Sequence, residues 1–463
     1  MGYMIRHIET NAKMTDEVRL EVLEAAVPYA TLQAVVQAHG LQRQRKRKLS
    51  AEMGLLLSIA MNLYSHLSLG QVMYKLVQGL RYVWPEPSFK PASKGAVSQM
   101  RYKIGAKPVV DLFHRVCQPM TNPDTPGAFL FGLRLMALDG LDEMIPDTPE
   151  NVKVFGRHTS GRGDAGYPQL QAVYLEEVGA HAILDAGFWP IHTSERKGGF
   201  RLLRSVKEGM LLMWDAGFHS FEMVQQTLAR GAHFLGRLPA GVTKLELVCC
   251  LPDKSRLVYL TRSDHKGHIQ ERILVRLIEY TVTDPALPGY GERHRLITSL
   301  LDWHIYPALQ LAQAYHERWE IEITIDETDT HQRLAFHPLR SQKPVGVIQE
   351  LYGLLLAHYA VRKVMLDAAR LAGLDPDRMS FTNALRLIGD AIPEFQHTAP
   401  DQFQNLYHRL LEDIARFRLP PRQPRTNPRV VKRKMSNFDK KRPEHYHVLQ
   451  PKSSFADAIM ILN

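Results

Sequence analysis

The sequence predicts an α/β protein: an all-α amino-terminal region, a mixed sheet with helical crossovers, a β-rich stretch set within it and a basic carboxy-terminal arm. Three observations predict this. Apolar residues recur at i, i+3 and i+4 through Glu17–Ala38 and Ser50–Leu80 with few breakers, as in helices with one buried face. Two short apolar runs, Leu133–Ala137 and Met210–Trp214, each lead into an aspartate and a glycine. Residues 240–300 hold four β-rich runs, LELVCCL, SRLVYLTR, ILVRLIEYTV and RHRLITSLL, with Gly, Pro and Asp between them.

Each element follows in order. SKGAVSQMRYKIG (Ser93–Gly105) has a serine cap and leads to Arg101 and Lys103, so it predicts a short helix whose Gln99, Arg101 and Lys103 reach bases and phosphates. QPMTNPDTPG (Gln118–Gly127) is a linker. LRLMALDG predicts a strand with Asp139 at its carboxyl end, and a hairpin follows through QLQAVYLEE and HAILDAGFW. The continuous apolar run before Asp215 fits a strand buried on both faces, followed by a helix over Ser220–Arg230 and the strand AHFLGRL. A helix from Ala308 carries Glu322, and Val345–Ala372 is an apolar helix of the core. The expected divisions are 1–125, 126–239, 240–300, 301–375 and 376–463.

Charge narrows the function. The 463 residues carry 58 Lys and Arg against 48 Asp and Glu, a formal net charge of +10, which favours a polyanionic partner. The excess is clustered in LQRQRKRKL (Leu41–Leu49) and from Arg416 to Arg442, where Asp439 is the only acid. Four prolines there (Pro420, Pro421, Pro424 and Pro428) oppose helix, so an extended basic arm able to follow a phosphate backbone is expected. The three cysteines, Cys117, Cys249 and Cys250, lack metal-site spacing and point to a reducing compartment. MGYMIRHIETN has no apolar signal core, and Met53–Leu69 is too short and polar to span a bilayer, so the expectation is a cytoplasmic protein with no membrane partner.

The chemistry concentrates in YHERWEIEITIDETDTHQR (Tyr315–Arg333). Tyr315, Arg318 and Glu322 fall at i, i+3 and i+7, one face of a regular helix. A guanidinium can grip a phosphate with two parallel hydrogen bonds, a carboxylate can hold a hard cation, and a tyrosine can touch a phosphate oxygen or stack on a base. The ordinary alternative is a solvated ion pair between Arg318 and Glu322. For Asp139 and Asp215 it is a turn-former or helix cap. Aspartates from two strand ends and a glutamate from a helix together predict an oxygen-rich pocket.

The order Asp139, Asp215, Glu322, with the last inside Tyr-x-x-Arg-x-x-x-Glu, resembles the DDE transposases of the bacterial insertion-sequence-four family, relatives of cut-and-paste enzymes that form hairpin ends. LDGLDEMIPDTPENVKVFGR, MLLMWDAGFHSF and AYHERWEIEITIDETDTHQR carry the likeness. It implies an RNase H-like catalytic domain over 126–239 and 301–375, split by the β-rich insertion, and a helical DNA-binding domain over 1–125. It implies that Asp139, Asp215 and Glu322 bind two Mg²⁺, with Mn²⁺ as substitute, roughly 4 Å apart. Tyr315 and Arg318 would hold the 5′-phosphate of the non-transferred strand, with Trp303 and Trp319 as candidate base platforms. The partners implied are transposon-end and target DNA, bound by a homodimer on paired ends.

One departure stands out. The family signature has a lysine seven residues after the glutamate, and here that position is Asp329. If the helix ran on, Arg333 would lie about 20° around its axis from Glu322 and could restore the charge, as could a protonated His331. The β-branched Ile323, Thr324 and Ile325 oppose so long a helix. The alternatives are a catalytically impaired copy acting as a repressor, or an RNase H-like nuclease without strand transfer.

Overall fold

The computed structural model describes residues 4–7, 14, 18–42, 49–84, 92–160, 163–242, 245–333, 338–420, 431–432, 439–440 and 451–462. Five helices come first: α1 (Tyr29–Ala38), α2 (Ala51–Leu63), α3 (Leu69–Lys75), α4 (Lys94–Ile104) and α5 (Lys107–Val116). Next come β1 (Phe129–Leu130), β2 (Leu133–Met144), α6 (Pro149–Phe155), β3 (Thr159–Ser160), β4 (Gly163–Asp164), β5 (Gln169–Glu177), β6 (Ala182–Pro190), α7 (Glu195–Leu202), β7 (Met210–Trp214), α8 (Phe221–Leu228) and β8 (His233–Arg237). Four strands follow, β9 (Glu246–Cys250), β10 (Arg256–Ser263), β11 (Ile269–Val282) and β12 (His294–Thr298). The chain continues through α9 (Ala308–Tyr315), α10 (Glu320–Asp326), α11 (Pro344–Ala372), α12 (Phe381–His397), α13 (Phe403–Arg416), β13 (Val431–Lys432), β14 (Asp439–Lys440) and β15 (Ile459–Ile461).

The mixed α/β class is as expected, with finer differences that have local causes. Glu17–Ala38 is not one helix: Pro28, extended at φ −59°, ψ 133°, starts α1, and only a 3₁₀ turn (Glu21–Leu23) precedes it. Ser50–Leu80 is broken after Leu63. Ser50 caps α2 through the Met53 N–H, and Ser68 with Gln71 forms a capping box that starts α3.

Two compact units make up the chain. The first comprises Met1–Phe129, Leu138–Ser205 and Glu320–Leu419, and the second Leu130–Ala137, Val206–Trp319 and Pro420–Asn463. The helices expected to form a separate domain over 1–125 thus share a unit with α10 to α13. In it α11 packs against α2, α5, α12 and α13. The reason is α2, buried all round except at Glu52 and therefore needing cover on every side. Gly353 lets α11 approach so closely that a Cβ there would lie 2.2 Å from the Ser58 carbonyl oxygen. On its other side a Cβ at Gly54 would meet Ile104 and Met100 of α4. The β5–β6 hairpin, paired from Leu170↔Pro190 to Glu177↔Ala182, completes this unit beside the carboxyl half of β2.

In the second unit β7 runs parallel to β2 and β8. The β-rich runs of 240–300 form four strands. β12 pairs antiparallel with β8 (Leu296↔Arg237 to Thr298↔Leu235), so β12, β11, β10 and β9 extend the same sheet outward, with β15 added to β11. All three cysteines are free thiols, Cys117 buried and Cys249 and Cys250 exposed. Among the described residues no helix is long and apolar enough to cross a membrane.

Candidate active site

Asp215 follows β7, five consecutive buried apolar residues between two parallel neighbours. Its Oδ1 accepts the Gly217 N–H at 2.9 Å, which fixes the carboxylate in the turn. The preceding Trp214 is buried, with its indole stacked on Phe234 at 5.2 Å between centroids. That stacking requires glycine at 236, where a Cβ would lie 2.3 Å from the indole nitrogen.

Tyr315, at the end of α9, is buried and its hydroxyl donates to the Trp214 carbonyl at 3.2 Å. Burial pushes the phenol up to about 12 and the Asp215 charge adds to this, while Arg318 and Arg237 oppose it, Arg318 also hydrogen-bonding to it. The phenol therefore stays protonated at neutral pH, with its proton committed to the backbone. The Arg318 guanidinium lies 5.9 Å from the Tyr315 ring centroid and 5.7 Å from that of Trp319, which is 46% exposed. The second unit thus brings Asp215, Tyr315, Arg318 and Arg237 together. Arg237, exposed at the carboxyl end of β8, was missed from sequence, though like Asp215 it stands at the end of a strand. Trp303 is half-buried against the neighbouring His304 ring.

Asp139 and Glu322 belong to the first unit. Asp139 does not end its strand, since β2 runs five residues further, to Met144. The parallel ladder with β7 pairs Ala137 with Met213, and Asp139 and Asp215 each stand two residues beyond these partners. Asp139 Oδ1 accepts the Gly140 N–H at 2.8 Å. A Cβ on Gly140 would lie 2.8 Å from Glu195 Oε1, so the Glu195 side chain packs against the residue that follows Asp139. Asp139, Asp215 and Glu322 are all half-buried.

The segment with Glu322 is not one regular helix. A 3₁₀ turn (His316–Trp319) separates α9 from α10, and a π-helical turn (Glu327–Gln332) follows. Arg333 is then extended, at φ −95°, ψ 169°. The expectation that it replaces the missing lysine on the face of Glu322 is corrected. Its guanidinium pairs with Glu143 at 2.5 Å and Asp329 at 3.1 Å, and its side chain is 9% exposed. His331 pairs with Asp326 at 3.3 Å.

The recognition-helix reading is corrected in part. α4 forms as expected, capped by Ser93, with Gln99 and Lys103 exposed. Arg101 is buried, because two residues along a helix is about 200° around it and turns the side chain inward. It donates to Ser341 Oγ and the Gly346 carbonyl, both at 3.1 Å. Residues 43–48 of the first basic cluster and most of 416–442 lie outside the described residues.

Asp139 and Asp215 each accept a backbone amide, and carboxylate oxygens are the ligand type that hard divalent cations prefer. Among the described residues, one group of metal-type side chains has ligand atoms within 4.8 Å of one another, and it is a different one: His181, Glu320 and Asp377.

The insertion element 4 transposase N-terminal family matches residues 17–114, and the transposase DDE domain family matches residues 142–360, beginning three residues past Asp139. The chain is 30% identical over 395 residues to the transposase InsG for insertion sequence element IS4 of Escherichia coli (strain K12), covering 84% of this chain and 86% of that protein. It is 29% identical over 149 residues to the putative transposase InsZ of the same organism, 32% of this chain and 50% of that one. Among solved structures it is similar to a piggyBac transposase synaptic complex with hairpin DNA, with a TM-score of 0.42, 11% identity, and coverage of 92% and 89%. The chain belongs to the IS4 family of DDE transposases, enzymes that cleave DNA and transfer its strands.

Proposed function

We propose that this transposase binds the terminal inverted repeats of an insertion sequence and cuts there with Asp139, Asp215 and Glu322 as its catalytic carboxylates, on an RNase H-like sheet. The observation that carries the reading is the linkage of Tyr315 through Trp214 to the strand that delivers Asp215. It ties Tyr315 of the Tyr-Arg-Glu segment to the backbone of the residue before Asp215 by a direct hydrogen bond. The three carboxylates would hold divalent cations, Mg²⁺ or Mn²⁺ in its place, whose charge activates the attacking oxygen and stabilises the leaving one.

The remaining chemistry belongs to the side chains of the chain. Arg318 is held against two aromatic rings, which fixes a fork-shaped donor for a phosphate. Tyr315 acts as the brace of that arginine, because its proton is spent on the Trp214 carbonyl. Arg237 adds positive charge on the same side. Gln99 and Lys103 on the exposed side of α4 are the remaining candidates for contact with the element's ends. Cutting both ends together calls for two active sites, hence a homodimer on paired ends.

Alanine at Asp139, Asp215 or Glu322 is expected to abolish Mg²⁺-dependent cleavage of a DNA fragment carrying the flanking inverted repeat while leaving its binding largely intact. Wild-type cleavage by any one of the three would remove that residue from the site. The ion pair between Asp329 and Arg333 favours a second reading, in which the copy has lost a DNA contact and is impaired after the first nick. Following the nick and the later cleavage products separately on an intact end distinguishes the two, since an impaired copy accumulates the nick, and pre-cleaved ends separate a transposase from a nuclease without strand transfer.

A further inference from the structure

In the first unit a buried chain of polar side chains runs along one side of the Glu322 segment. His181 closes the β5–β6 hairpin in the left-handed conformation (φ 52°, ψ 38°) and is buried. Its Nε2 lies 2.8 Å from Glu320 Oε2 and 3.2 Å from Asp377 Oδ1. Arg362 of α11 contacts its Nδ1 and pairs with Glu327, whose carboxylate also meets His358 Nε2 at 3.1 Å. Thr324 Oγ1 donates to Glu176 Oε1 at 2.7 Å.

The spacing of the anchored residues is informative. Glu320, Thr324 and Glu327 are i, i+4 and i+7, within about 60° of one another around a helix, whereas Glu322 is about 200° from the first. The three anchors are buried and Glu322 is half-buried. α10 has seven residues between a 3₁₀ turn and a π turn, too few to hold a register unaided. Charged groups are a costly way to fill a core, so a buried network is poorly explained by stability alone. A histidine in the left-handed region costs about 1 kcal/mol or more and persists only where its surroundings dictate it.

We propose that this network is the positioning device for Glu322, with His181 and Thr324 as positioning residues that set the direction of the catalytic carboxylate without touching DNA or metal. The proposal rests on the reading of Glu322 as a catalytic carboxylate. Three variants of the full-length protein test it: His181→Asn, which tolerates the left-handed backbone, Thr324→Val, which removes only the hydroxyl, and Thr324→Ser, which restores it. Each is assayed for binding of the flanking inverted repeat, for cleavage across a Mn²⁺ titration, for melting temperature, and for Fe²⁺-and-peroxide cutting of its own backbone, which marks residues beside bound metal. His181→Asn and Thr324→Val are expected to keep DNA binding, raise the half-saturating Mn²⁺ about tenfold or more, and lose the backbone cut near 322 while keeping those near 139 and 215. Thr324→Ser is expected to return both to the wild-type pattern. Unchanged Mn²⁺ dependence and an unchanged cut near 322, or equal losses of folding, DNA binding and cleavage, would overturn the positioning role. If the wild-type protein itself gives no cut near 322, the reading of Glu322 fails first and takes this proposal with it.

Discussion

Glu176 is a carboxyl group buried on every side, with no hydrogen-bond partner for Oε2 among the described residues. Burial pushes its pKa up to about 8 from an ordinary 4.5, against the opposing pull of His181 and the Thr324 hydroxyl. The folded protein therefore keeps a proton that the unfolded chain releases, and the stability this group contributes is full below about pH 4.5 and lost as pH rises to about 8. Glu176→Gln is expected to flatten the pH dependence of melting between pH 5 and 8 and to raise the melting temperature at pH 8. Arg333 has the opposite logic. Removing it leaves Glu143 buried without its partner, a loss of about 3–5 kcal/mol for a pair broken from one side. Arg333→Ala should thus lower the melting temperature and every activity together, and a selective defect in a late strand step with unchanged melting would show that it contacts DNA after all.

At the scale of elements, β7 and β8 meet through one missing side chain. Gly236→Ala would place a methyl 2.3 Å from the Trp214 indole nitrogen, immediately before Asp215. Overpacking of this kind costs about 1–3 kcal/mol. The variant should lose both thermal stability and cleavage, whereas Gly241→Ala, whose new methyl meets nothing within 4 Å among the described residues, should change neither. Three helix starts were readable because a serine caps each locally, Ser50, Ser93 and Ser220 each accepting the amide three residues on, while the same signal at Ser68 was passed over. The 3₁₀ and π turns around α10 were not, because the β-branched run at 323–325 weakens a helix without saying where it changes pitch. Only the buried partners of Glu320, Thr324 and Glu327, on β5, the β5–β6 turn and α11, account for where that segment is held.

For the whole molecule, the net charge of +10 and its clustering make binding to DNA a salt-dependent process. The logarithm of affinity should fall linearly with that of salt, and deleting residues 416–442 should flatten the slope. An unchanged slope would show that segment to be a solvated tail. By itself the sequence determined the mixed α/β class, the strands that lead to Asp139 and Asp215, the hairpin, the long apolar helix and the family, since alternation, helical period, caps and motif order are all local patterns. The tertiary structure decided what spacing could not. Arg101 and Arg333 look like phosphate contacts as isolated basic residues, yet each is turned inward to partners 240 or more and 190 residues away in sequence. It joined β12 to β8, so that the β-rich stretch extends the sheet, and gathered the amino-terminal helices around α11. The physical reason is common to all of these: whether a charged side chain meets solvent or a buried counter-charge depends on which distant surface covers it, and no local pattern encodes that.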